Sequence, residues 1–140
     1  MQSYSDLLER QPDNVAALNN LAWLLATYAN KGDEALTLIE HALRIAGPLG
    51  SLLDTQACIY IALDRRDEAV KTIEKAVLEA PTANRYFHLA LALSRVGRSL
   101  DAKDAWRKAT RDLHLGEQQV HPLERAEFRK FAALYPNEKS

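Results

Sequence analysis

The chain has one cysteine, Cys58, in 140 residues, so neither an intrachain disulfide nor a cysteine-cluster zinc site can form. That usage fits a reducing compartment, and cytoplasmic is the default expectation for the visible segment. No apolar run approaches the roughly 20 residues that a membrane span needs. No Lys/Arg-flanked apolar stretch with a small-residue cleavage site opens the chain, so the visible segment shows no secretory signal. Asn-Gly and Asp-Gly hairpin pairs are absent, and clean polar/apolar alternation is scarce, which argues against strands. The five glycines form no phosphate-cradling loop, and Gly47 with Gly50 reads as a helix stop. A net charge of −1 excludes the global field on which non-specific nucleic-acid binders depend.

What the chain does have is helical spacing throughout. Leu18, Leu21, Ala22, Leu25 and Ala26 form one apolar stripe, and Leu36, Ile39, Leu43 and Ile45 nearly complete another. Short breakers lie between the stripes: residues 11–14, 31–33, 47–50, 64–67, 80–82 and 96–98. Connections this short place neighbouring helices antiparallel.

The stripes repeat. Gly32-Asp33-Glu34-Ala35, Arg66-Asp67-Glu68-Ala69 and Ser99-Leu100-Asp101-Ala102 are spaced by 34 and then 33 residues. Seven residues after each alanine comes another, Ala42, Ala76 and Ala109, and a third set, Ala22, Ala57 and Ala90, lies upstream. With 22 alanines in the chain, nine such coincidences have odds on the order of one in ten million before choice of register. This period, with small residues at these offsets, resembles the tetratricopeptide repeat, a unit of two antiparallel helices, A and B. Large apolar positions of that family fall here on Leu18, Leu53 and Tyr86, on Leu25, Tyr60 and Leu93, and on Ile39, Ile73 and Trp106. Departures are Gln56 at an apolar position, Gly47 and His114 where proline is usual, and one extra residue in the first turn.

The resemblance implies an all-α, right-handed helix-turn-helix solenoid. Its expected parts are a helix B left from a preceding repeat (1–14), repeats at 15–49, 50–82 and 83–114, and a capping helix with a frayed tail (115–140). Tyr4, Leu7, Leu8 and Pro12 match the end of a helix B, so the chain reads as a piece of a longer array. The third helix B is expected to reach Leu113. A capping helix should then start near His121-Pro122 and cover the last repeat with Leu123, Ala126, Phe128, Phe131, Ala132, Leu134 and Tyr135.

Catalytic and metal chemistry find little purchase. His41, His88, His114 and His121 have no zinc-type spacing, and each reads as a solvated or capping side chain. Cys58 has no His or Asp at an offset that makes a nucleophile pair. Asp33/Glu34, Asp67/Glu68 and Asp101 recur at one repeat position, which capping and the helix dipole explain better than acid-base catalysis. The expectation is therefore a non-enzyme with no cofactor and no metal.

Charge is uneven, −5 over residues 1–82 and +4 over 83–140. The basic half reads as a solvated face, and an acidic protein segment suits it better than nucleic acid.

The resemblance implies a concave face made by the A helices, which here carries Asn19, Trp23, Thr27, Asp54, Cys58, Ile61, Asn84, Phe87, Leu91 and Arg95. A known carboxylate-clamping subfamily uses Lys and Arg in this region, but this chain has Asn19, Trp23, Thr55, Asn84 and His88, so no clamp is expected. Trp23, Ile61, Phe87 and Leu91 instead offer two readings, an exposed aromatic-aliphatic strip for a peptide or helix, or packing between adjacent A helices. The expected function is a scaffold or adaptor that binds a protein partner. The alternatives are a regulatory or substrate-recruiting arm of a larger enzyme, and self-association as a homodimer.

Overall fold

The computed structural model describes residues 2–136, which form helices joined by short turns, with no strand among the described residues. The chain divides into two compact units, Met1–Ala80 and Pro81–Ser140. The fraying expected of the last residues falls, from residue 137 on, outside the described residues.

The first unit holds α1 (Gln2–Arg10), α2 (Val15–Thr27), α3 (Gly32–Ala46), α4 (Gly50–Ala62) and α5 (Arg66–Glu79). Helix α2 packs on α3, and α4 on α5, as the two helices of successive repeats; α2 also packs on α4. The side chain of Asn14 starts α2 by accepting a hydrogen bond from the Ala17 amide at 3.0 Å, satisfying one of the donors that a helix start leaves open.

The alanines stand where helices approach. Ala22, Ala35 and Ala42 are fully buried beside Leu18, Leu21 and Ile39, and Ala57, Ala69 and Ala76 with Ile73 are their buried counterparts one repeat later. A methyl group at these places lets two backbones close to a distance that a larger side chain would prevent. Leu52 and Ile59 of α4 join the core of the first repeat, and Tyr4 and Leu8 of α1 lie against it.

The A-to-B turns share one geometry. Asn30, Asp64 and Gly97 all take positive φ, at 55°, 59° and 79°. These are residue types that tolerate the left-handed region. The next residue then donates its amide back into helix A: Lys31 to the Leu25 carbonyl at 2.8 Å, Arg65 to Tyr60 at 2.9 Å and Arg98 to Leu93 at 3.0 Å. The first of these bonds spans one residue more than the others, so the extra residue of the first repeat lies between Leu25 and Lys31.

One expectation about the acids needs correction. Lys31, Arg65 and Arg98 occupy the N-cap positions of the B helices and make no side-chain capping bond. Asp33, Glu34, Asp67, Glu68 and Asp101 stand in the first turn, where the helix dipole favours them. Two of them are held by the cap residue itself: Arg65 reaches Glu68 through two bonds of 2.7 Å, and Arg98 reaches Asp101 at 2.9 Å.

The second unit holds α6 (Ala83–Arg95), α7 (Ser99–Arg107) and α8 (Arg125–Leu134). The Thr82 hydroxyl caps α6 by accepting from the Arg85 amide at 3.2 Å. Helices α6 and α7 pack as a repeat, with Ala90, Ala102 and Ala109 buried. The helix expected to run to Leu113 ends its α-helical course at Arg107 and widens into a π-helical turn, Lys108–Asp112. There the Leu113 amide bonds the Lys108 carbonyl, and the Leu115 amide the Ala109 carbonyl, across His114 at φ 58°.

Short 3₁₀ turns at Glu117–Gln119 and Pro122–Glu124 lead into α8, so the capping segment begins as expected near Pro122 but becomes α-helical only at Arg125. Its coverage is narrower than the apolar spacing suggested. Phe128 and Phe131 are buried, whereas Leu123, Ala126, Ala132 and Leu134 are exposed. Leu115 and Val120 of the preceding loop are buried in their place.

Candidate partner-binding face

In the first unit, Asn19, Trp23 and Thr27 follow one another at helical spacing on α2, and Asp54, Cys58 and Ile61 do so on α4. Because α2 packs on α4, these two stripes run along neighbouring first helices, with Asn19 and Asp54, and Trp23 and Cys58, at matching repeat positions. Asn19, Trp23, Asp54 and Ile61 are partly exposed, Thr27 is exposed, and Cys58 is buried with 7% of its surface accessible. The Thr27 hydroxyl donates to the Trp23 carbonyl at 2.7 Å, and Cys58 Sγ lies 4.0 Å from Asp54 Oδ1, so, against expectation, Cys58 does have an acid one helical turn away. The Asn19 Oδ1 atom is shielded from solvent and has no hydrogen-bond partner among the described residues. An unmade bond of this kind costs about 1–3 kcal/mol.

In the second unit, Asn84 is partly exposed and Arg95 exposed, but Phe87 and Leu91 are not an open strip. Phe87 is 0% exposed and Leu91 8%. Phe87 stands against Trp106, Phe128 and Phe131, with ring centroids 6.1, 5.7 and 6.3 Å away and steep interplanar angles. Edge-to-face pairs of this sort add about 0.5–1.5 kcal/mol each beyond their burial. Phe87 is thus a core residue covered by α8, which replaces the expectation of exposure.

Of the histidines, His121 meets the capping expectation, whereas His88 departs from the solvated one. His121 caps the 3₁₀ turn through Nδ1, accepting from the Leu123 amide at 3.1 Å. His41 lies 3.0 Å from Asp13. His88 is buried, and its Nε2 is 2.6 Å from Glu124 Oε2, tying α6 to the start of the capping segment. No spacing rule could pair residues 36 apart in sequence; the available signal was an acid within the turn that Pro122 opens.

A second tie is electrostatic. Arg129 of α8 grips Glu117 with bonds of 2.8 and 3.1 Å. The Arg129 guanidinium holds the Glu117 carboxyl below the usual carboxylate range. A carboxyl depressed in the folded state contributes stability above its unfolded pKa and loses it as pH falls through the folded value. Arg129→Gln is expected to return the Glu117 titration toward the ordinary range, read by carboxyl chemical shifts against pH. An unmoved titration would show that the pair does not persist in solution.

The architecture described so far is that of an all-α helical-repeat protein. Residues 51–82, the second of the repeats, match the family description "Tetratricopeptide repeat". A thermophilic tetratricopeptide-repeat protein of Thermus thermophilus superposes with a TM-score of 0.72 at 20% identity, over 95% of this chain and 71% of that one. A crystal structure of MamA superposes with a TM-score of 0.68 at 17% identity, over 96% of this chain and 81% of that one. A second MamA structure gives 0.66 at 17% identity, over 96% and 75%. At these identities the likeness is one of fold. No curated protein sequence matches the chain. Residues 51–82 thus carry a tetratricopeptide repeat, and the chain as a whole has the all-α helical-repeat fold of tetratricopeptide-repeat proteins. No helix among the described residues is long and apolar enough to cross a membrane.

Proposed function

We propose that this chain is a non-catalytic adaptor that holds a partner peptide or helix on the first-helix face of its N-terminal unit. The observation that carries the reading is Asn19, whose amide oxygen is desolvated without a partner, one helical turn from the half-buried indole of Trp23. A buried acceptor left open calls for an explanation, and a donor from a bound backbone supplies one. Trp23 offers an amphipathic contact of the type that dominates binding hot spots. Asp54 and Ile61 on α4 extend the face with one acid and one aliphatic group, and Thr27 and Cys58 complete it.

The test is peptide selection from a random library against the whole chain, followed by amide chemical-shift mapping of the selected binders. Perturbations should centre on Asn19, Trp23, Asp54 and Ile61. Asn19→Ala and Trp23→Ala should each weaken binding about tenfold or more without loss of helicity. Binders mapping to the B helices, or indifferent to both substitutions, would refute the reading.

A further inference from the structure

The capping segment is tied to itself along its length. Gly116 donates its amide to Gln119 Oε1 at 2.8 Å, the Glu124 amide bonds the His121 carbonyl at 2.8 Å, and Arg125 Nε donates to the Val120 carbonyl at 3.3 Å. The Arg129–Glu117 clasp then joins the first 3₁₀ turn to the middle of α8. Both partners of each bond lie within residues 116–129, so these ties survive any movement of the segment as a body. Its seat on the third repeat is of another kind. Phe128 and Phe131 press on Phe87 and Trp106, Val120 is buried, and Glu124 Oε2 meets His88 Nε2. Packing there is incomplete, because a hollow of about 260 Å³ lies between Trp106, Leu115, Phe128, Ala132 and Tyr135. Side chains that border a gap forgo the dispersion contacts a filled wall would give them.

We infer that residues 116–134 form a hinged lid, which leaves the third repeat as one unit while α6 and α7 stay folded, and so bares the ring faces of Phe87 and Trp106 that it now covers. Burial sets the order of opening. Helix α8 buries Phe128 and Phe131, whereas α6 buries every residue from Phe87 to Leu93 except Leu89. Local opening is drawn from the parts with fewer buried apolar contacts. Ala126, Ala132 and Leu134 face solvent and add little to the seat. The hinge lies just past the π-helical turn, where the chain passes through His114, at φ 58°, and Gly116. A few residues at the end of an element are what hinges are made of, since they absorb the backbone rotation. The clasp supplies the remaining requirement, because a lid must keep its shape when it leaves its seat.

Native-state hydrogen exchange on the whole chain, followed amide by amide at a series of sub-denaturing urea concentrations, tests the lid. The protected amides of α8 should exchange about a hundredfold faster than those of Leu91 and Leu93 in α6. They should also share one urea dependence, the mark of a segment that exposes its surface together. Ala90→Gly, at a fully buried alanine of α6, should speed exchange in α6 and α7 about fivefold or more. It should leave α8 as in wild type, because α6 is folded whether the lid is closed or open. Equal acceleration in α8 would mean that the segment leaves only when the repeat unfolds, and would overturn the inference. So would exchange that rises residue by residue towards Leu134 with no shared urea dependence, which is the fraying of a helix end.

Discussion

Phe87→Ala is expected to destabilise the C-terminal unit by about 3–5 kcal/mol, the range for removing a fully buried phenylalanine ring. Phe87→Ser should cost more, because it adds a hydroxyl without an assured partner. Against a typical domain stability of about 5–15 kcal/mol, either loss is large enough to populate unfolded protein at moderate temperature. The reason lies in what surrounds the ring. Trp106 comes from α7, Phe128 and Phe131 from α8, and all three stand within 6.3 Å of Phe87, centroid to centroid. Removing Phe87 takes the shared neighbour away from three rings at once, and the close packing around it leaves little room to collapse into the space. Denaturant unfolding followed by near-ultraviolet circular dichroism, where the Trp106 environment reports, measures the effect. Phe87→Leu, which preserves much of the volume, should lose considerably less. Equal midpoints for wild type and Phe87→Ala would place the ring outside the core and reopen it as a binding residue.

The burial of Phe87, which decides between the two readings of its position, shows what a repeat register conveys and what it omits. Register places Asn19, Asp54 and Phe87 at the same position of three successive first helices. It does not state what covers that position at the end of the array. Two of these residues are polar and the third is a phenylalanine fully withdrawn from solvent. That change of character, read together with Phe128 and Phe131 downstream, was the available sign that the last face meets the chain's own capping helix. The turns were legible for the opposite reason. Their geometry is local, and Asn30, Asp64 and Gly97 are residue types that accept positive φ. The π-helical turn left no such mark, because Lys108–Asp112 contains neither glycine nor proline. The His88–Glu124 contact was hidden likewise, since it is set by tertiary placement across 36 residues.

Ala22→Leu and Ala35→Leu are expected to destabilise the N-terminal unit although each adds apolar surface to an apolar site. Both alanines are completely buried in one cluster with Leu18, Leu21 and Ile39. Simple transfer bookkeeping would favour the three added carbons by about 0.8 kcal/mol apiece. Packing opposes it, because the extra atoms have no void to enter and must either separate α2 from α3 or force neighbouring side chains off their rotamers. Overpacking of this kind costs about 1–3 kcal/mol, and the recurrence of alanine here in every repeat is the sequence's record of that cost. Ala22→Gly removes a buried methyl and helix propensity together and should lose more than the roughly 1 kcal/mol that propensity alone accounts for. Urea midpoints of the three variants, with Trp23 fluorescence as the local reporter, decide between the accounts. If the leucine variants are more stable than wild type, the helices do not approach closely at these alanines, and their periodicity would need a cause other than packing.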